Sequence, residues 1–292
     1  MRTWHITVAY NGGAYRGWQI QPDAVTVQGE IQKRLRHLFR YHELKLHGTS
    51  RTDAGVHALD QHATFRAPQP ADMPPDRVHG LLNRWLPRDI RVQYVELAPE
   101  GFHARHNAQA KAYTYVLRPG DDCSPFELPY LWACPYELNT TVMKRTAAAL
   151  VGTHDFTAFS ASSGLDERDT GVRTLYALDV MRRGQYVFLS FIGNSFLYKM
   201  VRSLAGYFAL RVGQCDTPPT EEVTAMLQDG TRPSWLQTAP PQGLFLARVF
   251  FQAGEWEHYG PLLPPFAWHM PANTTDDASR GTNAARRAAN GA

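Results

Sequence analysis

The chain has 292 residues, of which 43% are hydrophobic and 20% are charged, and its formal net charge is +3. This composition is typical of a globular protein, and the length favours about two domains. No run of about eighteen apolar residues occurs, and the segment from Met1 to Val8 already alternates like a strand. We therefore expect neither a membrane span nor a cleavable signal, and we expect a cytoplasmic protein.

The chain contains three cysteines, which are widely spaced and form no Cys-x-x-Cys motif. They indicate neither a disulfide framework nor a structural zinc site, and we expect them to be reduced. Arginine supplies 25 of the 30 basic residues, and its guanidinium group suits bidentate contact with phosphate. A GC-rich genome would produce the same excess of arginine, so this feature alone does not identify a nucleic-acid partner.

Hydrophobic periodicity in the first third of the chain predicts the order β-α-β-β-α-β. The predicted elements are a strand from Thr3 to Tyr10, a helix from about Thr26, strands from Leu44 to His47 and from Ala58 to Arg66, a helix after Pro74-Pro75 that Pro87 ends, and a strand from Ile90 to Leu97. A loop that contains Asp53 therefore joins the two central strands.

The same order recurs from Lys111 to Phe251, although no residue-level repeat accompanies it. The predicted elements are a strand from Ala112 to Arg118, a helix from Thr141 to Val151, strands from Val172 to Met181 and from Gln185 to Ile192, a helix from Phe196 to Val212, a short extra helix from Glu221 to Leu227, and a strand from Leu244 to Phe251. The segment from Pro119 to Asn139, rich in proline and aromatic residues, is predicted to be an insertion.

This duplicated order predicts an α+β fold made of two ferredoxin-like (split β-α-β) halves. Their antiparallel sheets are expected to join edge to edge around a central catalytic cleft, because domain interfaces are common places for active sites. We place the N-terminal half at residues 1–108, the C-terminal half at 109–254 and an extension at 255–292. From about residue 271 the extension lacks hydrophobic periodicity, which predicts disorder.

The segment from Arg51 to His57 is the first candidate for chemistry. Small residues follow a single carboxylate there, so the backbone can approach a ligand while Asp53 faces it. The alternative is a turn in which Asp53 caps its own backbone, since Asp and Gly are common in turns for structural reasons alone. The residue types favour the turn, and only a wider context could favour a nucleophile.

That context is a series of motifs in order along the chain. They are Tyr10 to Gln19, Gly48 to His57, Asp89 to Arg91, Phe102 to Arg105, Ala110 to Tyr115, Gly152 to Phe159, Asn194 to Arg202 and Gly243 to Leu246. With these motifs, the run from Tyr10 to about Phe251 resembles the bacterial tRNA pseudouridine synthase A family. The resemblance implies isomerisation of uridine to pseudouridine at positions 38, 39 and 40 of the tRNA anticodon arm. It also implies a homodimer that needs no cofactor or metal.

The resemblance further implies a role for individual residues. Asp53 would be the catalytic aspartate, Tyr113 the ring that stacks on the target base, Arg202 the basic partner of the aspartate, and Arg51 a helper that holds the flipped nucleotide. A second group has side chains suited to RNA phosphates, and its members are Arg16, His57, Arg105 and Lys111. The two histidines nearest these loops, His57 and His103, have an equally good interpretation as hydrogen-bonded structural residues.

Three chemical routes are compatible with the candidate aspartate. It can attack C1′ or C6 of the uridine, or remove the proton at C2′ to give a glycal, and each route needs an ionised carboxylate close to the sugar. Two other functions remain open. One is a non-catalytic RNA-binding protein on the same scaffold; the other is a small-molecule acid-base enzyme that uses Asp53 and a histidine.

Overall fold

A computed structural model of the chain describes residues 1–68, 73–120, 122–161, 170–261 and 263–267. Its strands are β1 Arg2–Tyr10, β2 His47–Gly48, β3 His57–Ala67, β4 Ile90–Leu97, β5 Ala110–Pro119, β6 Trp132–Cys134, β7 Gly152–Asp155, β8 Val172–Arg183, β9 Tyr186–Gly193 and β10 Leu244–Phe250. Its α-helices are α1 Val27–Phe39, α2 Pro75–Trp85, α3 Ala104–Asn107, α4 Thr140–Leu150, α5 Met200–Leu210 and α6 Thr220–Asp229. The tail that was predicted to be disordered from about residue 271 lies outside the described residues.

Helix α1 shows how the predicted periodicity becomes packing. Its residues Val27, Ile31 and Leu35 are fully buried in the main core. The helix begins directly after Thr26, whose hydroxyl accepts a hydrogen bond from the Gly29 amide at 3.3 Å and so caps the N-terminus. The helix ends at Arg40, which has left-handed backbone angles.

Two predicted elements have different bounds in the structure. Strand β2 does not include Leu44 or Leu46, because the Leu46 amide and carbonyl bond to the side chains of Gln32 and Gln28 on α1 instead of to a strand. Helix α5 begins at Met200 rather than at Phe196, since Lys199 before it is left-handed with φ +56°. Arg202 therefore lies in the first turn of α5. Strands β6 and β7, together with α3, were not predicted.

The strands form one ten-stranded mixed sheet with the order β4-β1-β3-β10-β5-β9-β8-β7, where β2 pairs with β3 and β6 pairs with β5. The pairs β3·β10 and β5·β6 are parallel, whereas the others are antiparallel. The expected antiparallel pairing is found among β4, β1, β3 and β2 and among β10, β5, β9 and β8, whereas the parallel pair β3·β10 joins these two sets and β5·β6 includes a strand that was not predicted. The chain has an α+β fold in which strands from both ends of the sequence share a sheet.

The β3·β10 pair brings the two parts of the sequence together. Leu246 of β10 lies opposite Ala58 on one side and opposite Tyr113 of β5 on the other. Because the loop with Asp53 ends where β3 begins, this register sets the loop two strands away from Tyr113.

The helices and the largest core cover one face of the sheet. Smaller clusters cover strands of the C-terminal part from the other side, where Val116 and Phe188 contact the segment that ends at Ala267. Trp256 stacks on Tyr176 with ring centroids 4.3 Å apart. The beginning of the predicted extension is thus packed on the sheet. None of the helices in the described ranges has the length and apolar content needed to cross a bilayer.

Candidate functional site

A cleft of about 1550 Å³ opens beside the junction of the two parts of the sheet. Residues 47–54 and the segment around Arg16 line it from the N-terminal part, and residues 194–202 line it from the C-terminal part. The cleft contains Asp53, Tyr113, Arg51 and Arg202 together. Residues from three widely separated parts of the sequence therefore share one cavity.

The loop that carries Asp53 is held by a close approach of two backbone segments. A Cβ atom on Gly17 would lie 2.5 Å from the Thr52 carbonyl oxygen, and Gly17 has φ +90°, so only glycine fits there. The Trp18 amide donates to the same carbonyl at 3.1 Å, and the Gly55 amide donates to Tyr15 at 3.3 Å. These contacts fix the loop as a tight turn from which the half-buried Asp53 side chain faces the cleft.

Asp53 forms an ion pair across the cleft. Arg202 donates from Nη1 to Oδ2 of Asp53 at 2.7 Å, and it donates from Nε to the Ala239 carbonyl at 2.8 Å. The side chains of Arg202 and Asp53 are 12% and 23% exposed, so water screens the pair only in part. The guanidinium thus holds the carboxylate by both a charge interaction and a hydrogen bond.

Tyr113 forms the aromatic wall of the cleft. Its ring is 7% exposed and meets Phe196 edge to face, with centroids 5.1 Å apart. Burial raises the pKa of the Tyr113 hydroxyl to about 12, with the charge of Asp53 acting in the same direction and the Ser50 hydroxyl acting against it. The hydroxyl therefore stays protonated at neutral pH and can donate a hydrogen bond.

Basic side chains surround this centre. Arg16, Arg51 and Arg105 are exposed and line the cleft. Lys111 also lines it and donates from Nζ to the Thr49 carbonyl at 3.2 Å. Burial, together with the charge of Arg105, lowers the pKa of Lys111 to about 8. An anion bound here would raise that pKa again, because it favours the ammonium form.

His57 does not line the cleft. It is 2% exposed, its Nδ1 accepts from the Gly12 amide at 3.1 Å, and its Nε2 lies 3.0 Å from the Pro129 carbonyl and 3.1 Å from the Gln242 carbonyl. The proton must be on Nε2, so the ring is neutral, and burial lowers its pKa. Neither ring nitrogen is left for RNA, which favours the structural interpretation of this histidine.

Several cleft residues were not singled out from sequence. His47 and His106 lie on either side of His103, with ring centroids 5.4 and 4.3 Å away from its ring. Tyr198 is 53% exposed within the segment before α5. The signal for Tyr198 was its place in the motif from Asn194 to Arg202, whereas nothing in the sequence indicates that His47 and His106 both lie beside His103.

The site thus belongs to a class with one paired carboxylate, a buried tyrosine and a basic rim suited to nucleic acid. A profile of the family described as tRNA pseudouridine synthase matches residues 6–107 and 146–252, which include Asp53 and Arg202 but not Tyr113. The chain belongs to this family.

Individual relatives extend over most of the chain. The tRNA pseudouridine synthase A 1 of Protochlamydia amoebophila (strain UWE25) is 38% identical over 254 residues, covering 86% of this chain and 97% of that protein. The tRNA pseudouridine synthase A of Exiguobacterium sp. (strain ATCC BAA-1283 / AT1b) is 38% identical over 252 residues, covering 86% and 99%. A solved structure described as the archaeal box H/ACA sRNP Nop10-Cbf5 complex is similar at 13% identity and a TM-score of 0.29, covering 71% of this chain and 43% of that one. Similarity this weak supports no inference about the function of this chain.

Proposed function

We propose that this chain converts uridine to pseudouridine in tRNA and that Asp53 is its catalytic nucleophile. Membership of the tRNA pseudouridine synthase family supports the reaction. The observation that carries the role of Asp53 is its 2.7 Å ion pair with Arg202 inside the cleft that Tyr113 lines.

The reaction breaks the C1′–N1 bond, turns the uracil while it stays bound, and joins C5 to C1′. It is redox-neutral and consumes no water. An ionised Asp53 can attack C1′ or C6, or take the proton from C2′, and all three routes begin from the same carboxylate. Arg202 orients that carboxylate through their hydrogen bond. The proton lost from C5 leaves to solvent or to a cleft group, and N1, which has lost its bond to C1′, gains a proton, so the product is an isomer of the substrate.

The other cleft residues fit the handling of a flipped nucleotide. Taking a base out of its stack costs a few kcal/mol, and stacking on an aromatic ring such as Tyr113 returns roughly 1–3 kcal/mol. Arg51, with Arg16, Arg105 and Lys111, supplies positive charge for the phosphates that flank the base. We assign the uridines at positions 38, 39 and 40 of the anticodon arm as targets on the family resemblance.

The strand pairings support two ferredoxin-like halves, at residues 1–108 and 109–254. The first half has the strand order β4-β1-β3-β2 and the second has β10-β5-β9-β8, and each contains two helices that alternate with its strands in the split β-α-β manner. The family resemblance also supports a cytoplasmic homodimer. Light scattering on a size-exclusion column tests that assembly, and a monomer that remains fully active would contradict it.

Tritium release from tRNA with 5-tritiated uridine tests the proposed function, because C5 loses its hydrogen when it becomes the glycosidic carbon. The natural chain should release tritium, whereas Asp53→Ala and Asp53→Asn should not. Asp76→Asn is the matched control, since Asp76 is an exposed carboxylate on α2 outside the cleft.

Two results would contradict the proposal. Undiminished release by both Asp53 variants would remove the aspartate from catalysis. Binding of tRNA without release by any form would favour the non-catalytic RNA-binding protein instead.

A further inference from the structure

The chain leaves the sheet just before Asp53, and one buried side chain holds it there. The β2·β3 ladder ends with the Thr49 amide bonded to the His62 carbonyl at 2.8 Å. At the next residue, Ser50, both backbone groups bond to Gln61 of β3 instead. Gln61 donates from Nε2 to the Ser50 carbonyl at 2.7 Å, and its Oε1 accepts from the Ser50 amide at 3.2 Å.

A side-chain amide makes this pair of bonds without a charge at any pH, because it carries both a donor and an acceptor. Gln61 is fully buried, so water cannot replace either bond. A methionine of similar length offers neither the donor nor the acceptor, and an ionised glutamate offers two acceptors where a donor is needed. The Gln61 side chain thus makes the two hydrogen bonds to Ser50 that a backbone residue of a paired strand would otherwise make.

A second contact holds the loop at Thr52, the residue directly before Asp53. The hydroxyl of Thr52 lies 2.8 Å from that of the buried Tyr10. Thr52 is buried, whereas its neighbours Arg51 and Asp53 are more exposed, and all three line the cleft. Two buried side chains therefore hold the loop: Gln61 bonds to Ser50, and Tyr10 bonds to Thr52.

We infer that Gln61 is a positioning residue for the isomerisation: by clasping the Ser50 backbone, it holds the loop so that Asp53 stays in register with Arg202 and Tyr113. The inference rests on the proposed role of Asp53. Gln61 does not line the cleft, so it acts through the loop and not on the substrate. Loss of the clasp lets the loop shift, and a displacement of about 1 Å at a reacting group can cost roughly 100-fold in rate.

The test compares kcat and KM of Gln61→Met with those of Gln32→Met, both measured by tritium release from tRNA. Gln32 is a matched control because it is also buried and also bonds a backbone amide, that of Leu46 at 2.9 Å, but it lies on α1 away from the loop. Both variants should have a lower Tm. Only Gln61→Met should lose kcat, by about 100-fold, with KM changed little.

Gln61→Glu adds a readout that a merely structural role would not produce. Burial raises the pKa of a carboxyl group at this position, and the protonated form regains the donor to the Ser50 carbonyl. The ratio of its kcat to that of the natural chain should therefore fall as the pH rises. Tyr10→Phe, which removes the hydroxyl that meets both Thr52 and Gln61, should lower kcat by a smaller factor and provides a second probe where Gln61→Met folds poorly.

The outcomes separate this inference from the proposed function. If Asp53→Ala is inactive but Gln61→Met keeps a kcat within about twofold of the natural chain, a loss too small for a 1 Å displacement, the clasp is not a positioning device. A kcat ratio for Gln61→Glu that does not vary with pH would overturn it too. If Asp53→Ala remains active, the proposed function fails first, whatever the Gln61 variants do.

Discussion

Replacing Arg202 with methionine removes the partner of Asp53 while keeping most of the side-chain volume. A hydrogen bond to a charged group contributes about 1.5–3 kcal/mol, and each 1.36 kcal/mol is a tenfold change in rate. If the 2.7 Å bond holds Asp53 in its reactive state, kcat should therefore fall by about 10- to 150-fold. Arg202→Lys should lose less, because it keeps the charge but cannot bond to Asp53 and to the Ala239 carbonyl with the same geometry.

Single-turnover tritium release at saturating tRNA measures this effect apart from binding. The control is Arg211→Met, because Arg211 also pairs with a carboxylate, Glu222, at 2.9 Å, but it lies at the other end of α5 and outside the cleft. Equal losses in the two variants would assign the effect to the folding of α5. A kcat for Arg202→Met within twofold of the natural value would refute the pairing argument.

Substitutions at three other residues, Tyr113, His103 and Asp60, test separate parts of the reasoning. Tyr113→Leu should lower kcat/KM by about 5- to 150-fold, since stacking contributes roughly 1–3 kcal/mol. Tyr113→Phe keeps the stacking and should lower kcat/KM less. A Phe variant as slow as the Leu variant would assign the loss to the hydroxyl. Burial, together with the charges of its histidine neighbours, lowers the pKa of His103. A bound phosphate would raise this pKa again, so the affinity for tRNA should increase as the pH falls below about 6.5. The same pH dependence of Kd in His103→Gln would contradict this prediction. Burial raises the pKa of Asp60, but His62, the Val249 amide and Arg248 together hold it below its ordinary value. Its contribution to stability is thus present at neutral pH and lost only below about pH 4. Asp60→Asn should lower the Tm at pH 7 but not in strong acid, and a Tm difference that is the same at every pH would show that its charge does not matter.

Local patterns were enough to predict most elements of the fold. Periodic apolar residues predicted α1, and alternation predicted strands β1, β3 and β4 to within two residues, because helical and strand periods are set by local backbone geometry. Helix α5 was predicted to begin at Phe196 because Phe196, Met200 and Leu204 continue a helical spacing. The left-handed backbone of Lys199 interrupts this spacing, and the apolar pattern itself carries no signal for such a turn.

The candidate site was harder to predict, since its geometry is non-local. Asp53 and Arg202 are 149 residues apart in sequence, and only the register of β3, β10 and β5 brings them together. The motif from Gly48 to His57 indicated a loop, but it could not indicate which of its side chains face the cleft. Resemblance to a family predicted the set of residues, whereas the directions of their side chains came from the structure.

His57 shows why this distinction matters. It belongs to the same short motif as Asp53, yet its ring stacks on Phe245 of β10 with centroids 4.8 Å apart and bonds to the Gln242 carbonyl. The β3·β10 pair has only two register positions, so the contacts of His57 add to a short junction between the two parts of the sheet. One end of the motif thus presents the carboxylate and the other end holds the junction. Because Arg202 reaches Asp53 across that junction, we expect loss of the His57 contacts to weaken the ion pair as well as the junction.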